Sequence, residues 1–284
     1  MRGGMLVCGT SSDAGKSFVV AGLCRLLARQ RVKVAPFKAQ NMALNSFVTP
    51  SGHEIGRAQA AQAMAAGIDP EPVMNPVLLK PTGDRSAQVV LLGAPVDERD
   101  AVAYESMKPQ LFATVLGCLQ ELRSRFDVVI AEGAGSPAEI NLLAGDIVNL
   151  PLAAAAGLPA LVVGDIDRGG VFASLFGTVG MLPPELRSVV RAFVLNKFRG
   201  DPALLGDGPA DLERRTGVPT IGVLPMLPGA AIDGEDSLVL ERRHDVTPPA
   251  ATGDMLDVAV VRLPRLSNFT DVDPLLLEPQ VGVR

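Results

Sequence analysis

The residues best suited to chemistry form a glycine-rich segment, GTSSDAGKS, at positions 9–17. It stands between an apolar run and an amphipathic helical pattern, which is the setting of a phosphate-binding loop. Glycines let backbone N–H groups approach phosphate oxygens, and the helix that follows adds its positive N-terminal end. Lys16 is expected to contact the β- and γ-phosphates, and Ser17 to bind Mg²⁺. The sequence therefore predicts an ATP site formed by Gly9, Thr10, Ser11, Ser12, Asp13, Ala14, Gly15, Lys16 and Ser17.

The spacing of the glycines in this loop indicates which class of nucleotide-binding protein it resembles. Five residues separate Gly9 from Gly15, one more than in the commonest form of the motif. This spacing, together with Lys16, excludes a dinucleotide-binding GxGxxG turn. Ser11 stands where partition-type ATPases carry an additional lysine, which argues against a dimerising regulatory ATPase. The longer loop resembles that of dethiobiotin synthetase and its relatives.

Four further polar residues end apolar runs. Glu132 closes FDVVIAEG and is predicted to bind the metal together with Ser17. Lys38 closes KVAPFK, so that it and Lys16 could neutralise a transferring phosphoryl group. Asn196 is expected to pair with adenine. Asp165 is predicted to be catalytic, with two roles open: ligation of Mg²⁺ or orientation of ammonia.

Three stretches are unusual for a plain ATPase: KAQNMALNS (38–46), EGAGSPAEINL (132–142) and GDIDRGGVFASLFGT (164–178). Their amide-rich loops suit recognition of amides and carboxylates on a large polar substrate, although the same residue types also favour ordinary turns. The predicted substrate-binding residues are Gln40, Asn41, Asn45, Ser46, Lys80 and Arg168, and the surroundings of Asn75 and Lys80 are the alternative acceptor site.

These residues must be positioned by the elements between them. Short runs that are apolar throughout alternate with helical patterns, which predicts a doubly wound, mostly parallel α/β sheet with its ligand crevice at the carboxyl ends of the strands. The predicted strands lie at 4–9, 33–38, 87–93, 126–133, 159–167, 192–198 and 220–225. Residues 1–227 then form the P-loop domain, 228–254 a linker rich in charge, Pro and Gly, and 255–284 the start of a second domain.

Composition excludes several classes of function. The chain has 284 residues, 48% hydrophobic content and a net charge of −5, so it can bury a core, and scattered basic residues give no nucleic-acid or membrane surface. Cys8, Cys24 and Cys118 lack metal-ligand spacing and are predicted to be buried thiols. We predict a cytoplasmic enzyme that binds neither nucleic acid nor membrane, with a homo-oligomer possible.

Several blocks together resemble the cobyric acid synthase family, glutamine-dependent amidotransferases of cobalamin biosynthesis. The blocks are TSSDAGKS, APFKAQNMALNS, EIGRAQAAQA, MNPVLLKP, EGAGSPAEINL, DIDRGGVFASL and VLNKFRGD. The resemblance implies ATP-dependent amidation of the b, d, e and g carboxylates of adenosylcobyrinic acid a,c-diamide. It also implies that ammonia comes from glutamine, hydrolysed in a C-terminal class I amidotransferase domain.

Residues 255–284 resemble only the beginning of that second domain. Its nucleophilic cysteine and His-Glu partners do not appear, so the sequence predicts a truncated chain that uses ammonia rather than glutamine. Two other activities stay open: a cobyrinic acid a,c-diamide synthase and a dethiobiotin-synthetase-like carboxylate ligase. All three activate a carboxylate with ATP as an acyl phosphate, which requires no protein nucleophile and agrees with the absence of a Ser-His-Asp or Cys-His set.

Overall fold

The computed structural model describes residues 3–83, 86–227, 256–261, 263 and 266–284. The strands are β1 (Gly3–Gly9), β2 (Val34–Phe37), β3 (Gln40–Met42), β4 (Ser46–Val48), β5 (Glu54–Gly56), β6 (Val77–Pro81), β7 (Ser86–Leu91), β8 (Ala94–Asp100), β9 (Val128–Glu132), β10 (Ala160–Asp165), β11 (Val190–Phe198), β12 (Thr220–Pro225), β13 (Leu256–Val258) and β14 (Val281–Val283). The α-helices are α1 (Lys16–Arg29), α2 (Arg57–Ala66), α3 (Ala101–Arg125), α4 (Leu150–Ala156), α5 (Val171–Met181), α6 (Pro184–Arg187), α7 (Gly208–Thr216) and α8 (Asp273–Leu276).

Six parallel strands form the central sheet in the order β12-β11-β10-β1-β9-β2. Its strands are apolar on both faces because helices cover both sides. In β1, Leu6 and Cys8 pack into the cluster that also contains Leu119 of α3, whereas Val7 packs into the opposite cluster with Val20 of α1. The predicted α/β fold with a mostly parallel, doubly wound sheet is therefore confirmed.

One predicted strand belongs to another sheet. The run at 87–93 forms β7, but β7 lies in a separate four-stranded sheet of order β3-β6-β7-β8, antiparallel to both of its neighbours. The antiparallel pairing with β8 follows from the two-residue turn between the strands, in which Leu92 and Gly93 have φ angles of 48° and 79°. A tight turn with two positive φ values makes a hairpin, which cannot lead to a parallel neighbour.

The remaining described strands form two small pairs. β4 and β5 form an antiparallel hairpin just before α2, and β13 pairs in parallel with β14. β13 lies within 255–284, the range predicted to begin a second domain, and the predicted linker at 228–254 lies outside the described residues. Within the described part of the chain, none of the helices combines the length and hydrophobicity required to span a membrane.

Candidate active site

The loop between β1 and α1 has the compact geometry that its glycines permit. A Cβ on Gly9 would lie 3.0 Å from Lys16 Cγ and 3.1 Å from Ala14 Cβ, so no larger residue fits without displacement. Gly15 adopts φ 96°, and a Cβ there would clash with Asn196 Nδ2. Both glycines are therefore required by the path of the loop and not only by access of a ligand.

Lys16 begins α1 and its side chain folds back over the loop. Its Nζ donates hydrogen bonds to the carbonyl oxygens of Ser11 at 2.9 Å and Gly135 at 3.0 Å, and the residue is only 7% exposed. The ammonium thus lies between the glycine-rich loop and the segment that follows β9. This is a position from which a lysine can contact an anion held by the loop.

Glu132, the last residue of β9, is the centre of a buried polar cluster. Its Oε1 accepts hydrogen bonds from Ser17 Oγ and from Lys38 Nζ, each at 2.8 Å. Its Oε2 accepts a hydrogen bond from Gln62 Nε2 at 2.5 Å. The Lys38 and Glu132 side chains are 4% and 1% exposed, so the ion pair is almost completely shielded from water.

The charge state of Glu132 follows from these contacts. Burial alone would raise the pKa of its carboxyl, because desolvation disfavours the charged form. The positive charge of Lys38 and the hydrogen bonds from Lys38, Gln62 and Ser17 outweigh burial and lower this pKa below its ordinary value of 4.5. Glu132 is therefore ionised at neutral pH. Carboxylate and hydroxyl oxygens are ligands that Mg²⁺ prefers, so Glu132 and Ser17 could hold this ion.

The sheet order explains why these side chains meet. β9 lies between β1 and β2, so the carboxyl ends of the three strands place the glycine-rich loop, Glu132 and Lys38 at one edge. The backbone of Lys38 is fixed by Met74 and Asn75: Lys38 N donates to Met74 O at 2.8 Å, and Asn75 Nδ2 donates to Lys38 O at 3.0 Å. Asn75 is buried, so it fixes the backbone of Lys38 and does not form part of the surface of the site.

Asp165 and Asn196 lie on the other side of β1, at the ends of β10 and β11. Asn196 Nδ2 donates to the Ala14 carbonyl at 2.9 Å, and this residue is 4% exposed. Asp165 Oδ2 accepts a hydrogen bond from Lys197 Nζ at 2.8 Å, and Lys197 also reaches Asp13 O at 2.6 Å. Both predicted residues therefore brace the outer side of the glycine-rich loop. The structure does not bring Asp165 into the Glu132 cluster.

The predicted amide-rich loop, residues 40–46, makes its contacts within the protein. Gln40 Oε1 accepts a hydrogen bond from Tyr104 Oη at 2.5 Å, and Asn41 Nδ2 donates to Gln59 Oε1 at 3.0 Å. Asn45 is hydrogen-bonded to Thr270, and Ser46 is hydrogen-bonded to Asn268. These are partners that no local pattern in the sequence indicates.

The other two predicted substrate-binding residues are ion-paired. Lys80 Nζ lies 2.5 Å from Glu54 Oε1. Arg168 lies 3.4 Å from both Asp13 and Asp165, with a side chain that is 55% exposed. Arg168 therefore belongs to the Asp165 side of β1, together with the glycine-rich loop.

Sequence reasoning missed two supporting residues, Gln62 and Asn149, and it named Asn75 only as part of an alternative acceptor site. Gln62 contacts Glu132, as described above, and its Oε1 has no hydrogen-bond partner among the described residues although the side chain is fully buried. Asn149 Oδ1 accepts from Ala134 N at 3.2 Å, and its Nδ2 donates to Ala134 O at 2.9 Å, which fixes the turn after Glu132. The repeated glutamines in EIGRAQAAQA were the available indication of Gln62.

A parallel α/β sheet, a glycine-rich loop leading into a helix, and a lysine and serine directed at a buried strand-end carboxylate define a P-loop nucleotide-binding domain. Residues 5–237 match the family model described as the CobQ/CobB/MinD/ParA nucleotide binding domain. The chain belongs to this family.

The curated relatives agree with the resemblance found in the sequence blocks. The cobyric acid synthase of Streptomyces coelicolor is 59% identical over 289 residues, and that of Frankia casuarinae is 56% identical over 304 residues. Each alignment covers all of this chain and 58% of the relative, so the chain spans little more than half the length of these relatives. The predicted similarity to the cobyric acid synthase family is confirmed.

Among solved structures, the signal recognition particle receptor FtsY of Elizabethkingia anophelis has a TM-score of 0.45 and 15% identity. The match covers 78% of this chain and 58% of the FtsY chain. A likeness this distant carries no information about function.

Proposed function

We propose that this chain carries the ATP-dependent amide-forming activity of a cobyric acid synthase. The acceptor would be adenosylcobyrinic acid a,c-diamide, whose b, d, e and g carboxylates become amides. The observation that supports this most is that Ser17 and Lys38 donate hydrogen bonds to the buried carboxylate of Glu132, while Lys16 joins the glycine-rich loop to the segment that follows this carboxylate. The high identity to cobyric acid synthases over the whole chain supports the choice of acceptor.

The proposed chemistry is transfer of the γ-phosphoryl group of ATP to a carboxylate oxygen of the acceptor. This gives an acyl phosphate and ADP; ammonia then attacks the acyl carbon, and inorganic phosphate leaves as a proton is lost from nitrogen. Lys16 and Lys38 would spread the negative charge of the transferring group. The glycine-rich loop would hold the phosphates through its backbone N–H groups. Mg²⁺, held by Ser17 and Glu132, would supply further neutralisation of phosphate charge.

The raised pKa values of the three cysteines support ammonia, and not glutamine, as the nitrogen donor used by this chain. A cysteine that hydrolyses glutamine must form a thiolate, so its pKa has to be low. Burial raises the pKa of Cys24 to about 12 and that of Cys118 to about 11, and it raises the pKa of Cys8 further still. None of the three is suited to that role, as their apolar sequence settings predicted.

The experiment combines the chain with ATP, Mg²⁺, ammonium and one corrinoid at a time, and reads the number of added amides from the product mass. We expect up to four additions to adenosylcobyrinic acid a,c-diamide. Two additions to cobyrinic acid, with none to the diamide, would instead identify an a,c-diamide synthase. Absence of any corrinoid product would exclude both and favour a smaller carboxylate acceptor.

A matched pair of lysine variants tests the ATP site. Lys16→Ala should lower amidation by about 10²–10³-fold, the usual loss when one donor to a developing negative charge is removed. Lys33→Ala is the control, because Lys33 is exposed and precedes β2 at the opposite edge of the sheet. It should retain the wild-type rate. Near-normal turnover by Lys16→Ala would contradict the assignment of the site.

A further inference from the structure

Residues 267–271, which we call the SNFTD segment, lie directly on the amide-rich loop. Thr270 Oγ1 accepts a hydrogen bond from Asn45 Nδ2 at 2.9 Å and donates one to Asn45 Oδ1 at 3.1 Å. The two residues are 225 positions apart in the chain. A single hydroxyl group thus satisfies both ends of the Asn45 carboxamide.

The contact continues along both segments. Asn268 Oδ1 accepts hydrogen bonds from Ser46 N at 3.2 Å and from Ser46 Oγ at 3.0 Å. Ser267 Oγ donates to Leu44 O at 3.0 Å. Three consecutive residues of the loop are therefore held by polar groups of the SNFTD segment.

Burial makes these hydrogen bonds consequential. Asn45 is 0% exposed, Thr270 1% and the neighbouring Phe269 3%. A buried amide that loses its partner stays desolvated without compensation, whereas an exposed amide would bind water instead. The conformation of the loop therefore depends on the SNFTD segment.

A second set of contacts links the segment to the carboxylate cluster. Asn45 O accepts a hydrogen bond from Arg57 N, the first residue of α2, at 3.2 Å. The Arg57 guanidinium lies 3.4 Å from Asp271 Oδ1. α2 also carries Gln62, which donates to Glu132. The segment thus contacts both the loop after Lys38 and the start of the helix that supports the Glu132 carboxylate.

We propose that Thr270 and Asn268 are positioning residues for acceptor binding. They hold residues 44–46 and the N-terminus of α2 in the arrangement that presents the acceptor carboxylate to the γ-phosphoryl group. They act through the loop and touch neither ATP nor the reacting atoms. The inference rests on the proposed function, because it assigns the amide-rich loop to the acceptor side of the site.

Three variants of the chain separate positioning from general stability. Thr270→Val keeps the shape of the side chain but removes the hydroxyl that pairs with Asn45, and Thr270→Ser keeps the hydroxyl. Asn268→Gly removes the side chain while tolerating φ 52°, a left-handed conformation that glycine adopts readily. Arg284→Ala is the control, because it removes only an exposed ion pair with Asp257.

The decisive measurement is the KM for adenosylcobyrinic acid a,c-diamide, with ammonium as the nitrogen source. Thr270→Val and Asn268→Gly should raise it about tenfold, as expected when a buried polar group loses its partner. Thr270→Ser and Arg284→Ala should leave it unchanged. The stoichiometry and dissociation constant of ATP, from calorimetric titration, should match wild type in all four variants. An unchanged acceptor KM in the first two, or an equal loss of ATP affinity, would overturn the inference.

Hydrogen exchange keeps the test independent of the proposed reaction. The backbone N–H groups of Ser46 and Arg57 should exchange faster in Thr270→Val than in wild type, because their acceptors are then less firmly held. If wild-type chain amidates no corrinoid, the proposed function fails. Unchanged exchange at both positions would then overturn the inference, whereas faster exchange would support the hold of the SNFTD segment on the loop.

Discussion

Replacing Glu132 by glutamine would remove the carboxylate that pairs with the buried Lys38 ammonium. The Lys38 side chain is 4% exposed, and its Nζ lies 2.8 Å from Glu132 Oε1, so water cannot replace the lost charge. The shape of the side chain is preserved, and its Oε1 can still accept from Ser17. The change therefore tests charge and not packing.

The magnitude follows from the burial of both partners. Removing one member of a buried ion pair typically costs about 3–5 kcal/mol. The lower end applies here, because Gln62 can compensate the lost acceptor. The Oε1 atom of Gln62 has no hydrogen-bond partner among the described residues. If the carboxamide of Gln62 rotates by 180°, this oxygen would accept a hydrogen bond from the amide introduced at position 132. We expect Glu132→Gln to lower the free energy of unfolding by about 3 kcal/mol, a large share of a typical domain's stability.

A double-mutant cycle separates stability from catalysis. Lys38→Met combined with Glu132→Gln removes both charges, so most of the lost stability should return. ATP-dependent amidation should stay lost, because we propose that both groups serve the reaction. Urea unfolding of the wild type, the two single variants and the double variant supplies the energies, and product mass supplies the activity. If Glu132→Gln were as stable as wild type, or if the two changes were simply additive, the buried ion pair would not be the main electrostatic contact of the site.

Two further predictions concern the loop and the pH dependence of stability. Gly15→Ala should destabilise the fold and weaken ATP binding more than Gly52→Ala does. Both glycines have positive φ, but only at Gly15 would the new Cβ clash, with Asn196 Nδ2. Thermal unfolding and ATP titration of both variants measure this difference, and equal effects would show that backbone strain alone matters. The Glu132 ion pair should stabilise the fold fully above the ordinary pKa of 4.5, and progressively less as the pH falls through the lowered pKa of the folded state. Urea unfolding at several pH values measures this pH-dependent part of the stability, which should be missing in Glu132→Gln.

Much of the candidate site could be predicted from the sequence because parallel strands share one direction. Several apolar runs end in polar residues, among them Lys38 and Glu132, and the carboxyl ends of neighbouring parallel strands meet at the same edge. That geometry is sufficient to bring Lys38 and Glu132 to the glycine-rich loop. The prediction did not extend to Asp165, because strand order decides which side of β1 a residue occupies, and apolar runs do not encode strand order.

The second sheet shows another limit. The run at 87–93 is as apolar as the strands of the central sheet, so hydrophobicity alone assigns it there. Only the conformation of Leu92 and Gly93 reverses the chain after β7, and Leu at a positive φ is not a residue that sequence rules expect in such a turn. Leu92 nevertheless adopts a backbone conformation that local preference disfavours.

The hydrogen-bond partners of the amide-rich loop could not be predicted from the sequence, for a different reason. Asn41 pairs with Gln59, 18 residues away, whereas Asn45 pairs with Thr270, 225 residues away. The sequence indicates that these amides need partners, but it does not say whether a substrate or the protein supplies them. In the structure the protein supplies at least one partner for each. For Asn45, Thr270 Oγ1 pairs with both the donor and the acceptor end of the carboxamide, so the protein itself orients this side chain.

This arrangement fits an enzyme that must place a carboxylate in line with a phosphoryl group. A loop that ordered only when the acceptor bound would lose conformational entropy at that moment, which would weaken binding. A loop already fixed by the SNFTD segment and α2 has lost that entropy during folding, and its polar groups need no reorganisation as charge develops. The internal hydrogen bonds of Asn41 and Asn45 are therefore compatible with a supporting role in acceptor recognition, in which these buried side chains fix the loop and do not contact the acceptor. They explain why such a role would depend on residues far from the nucleotide.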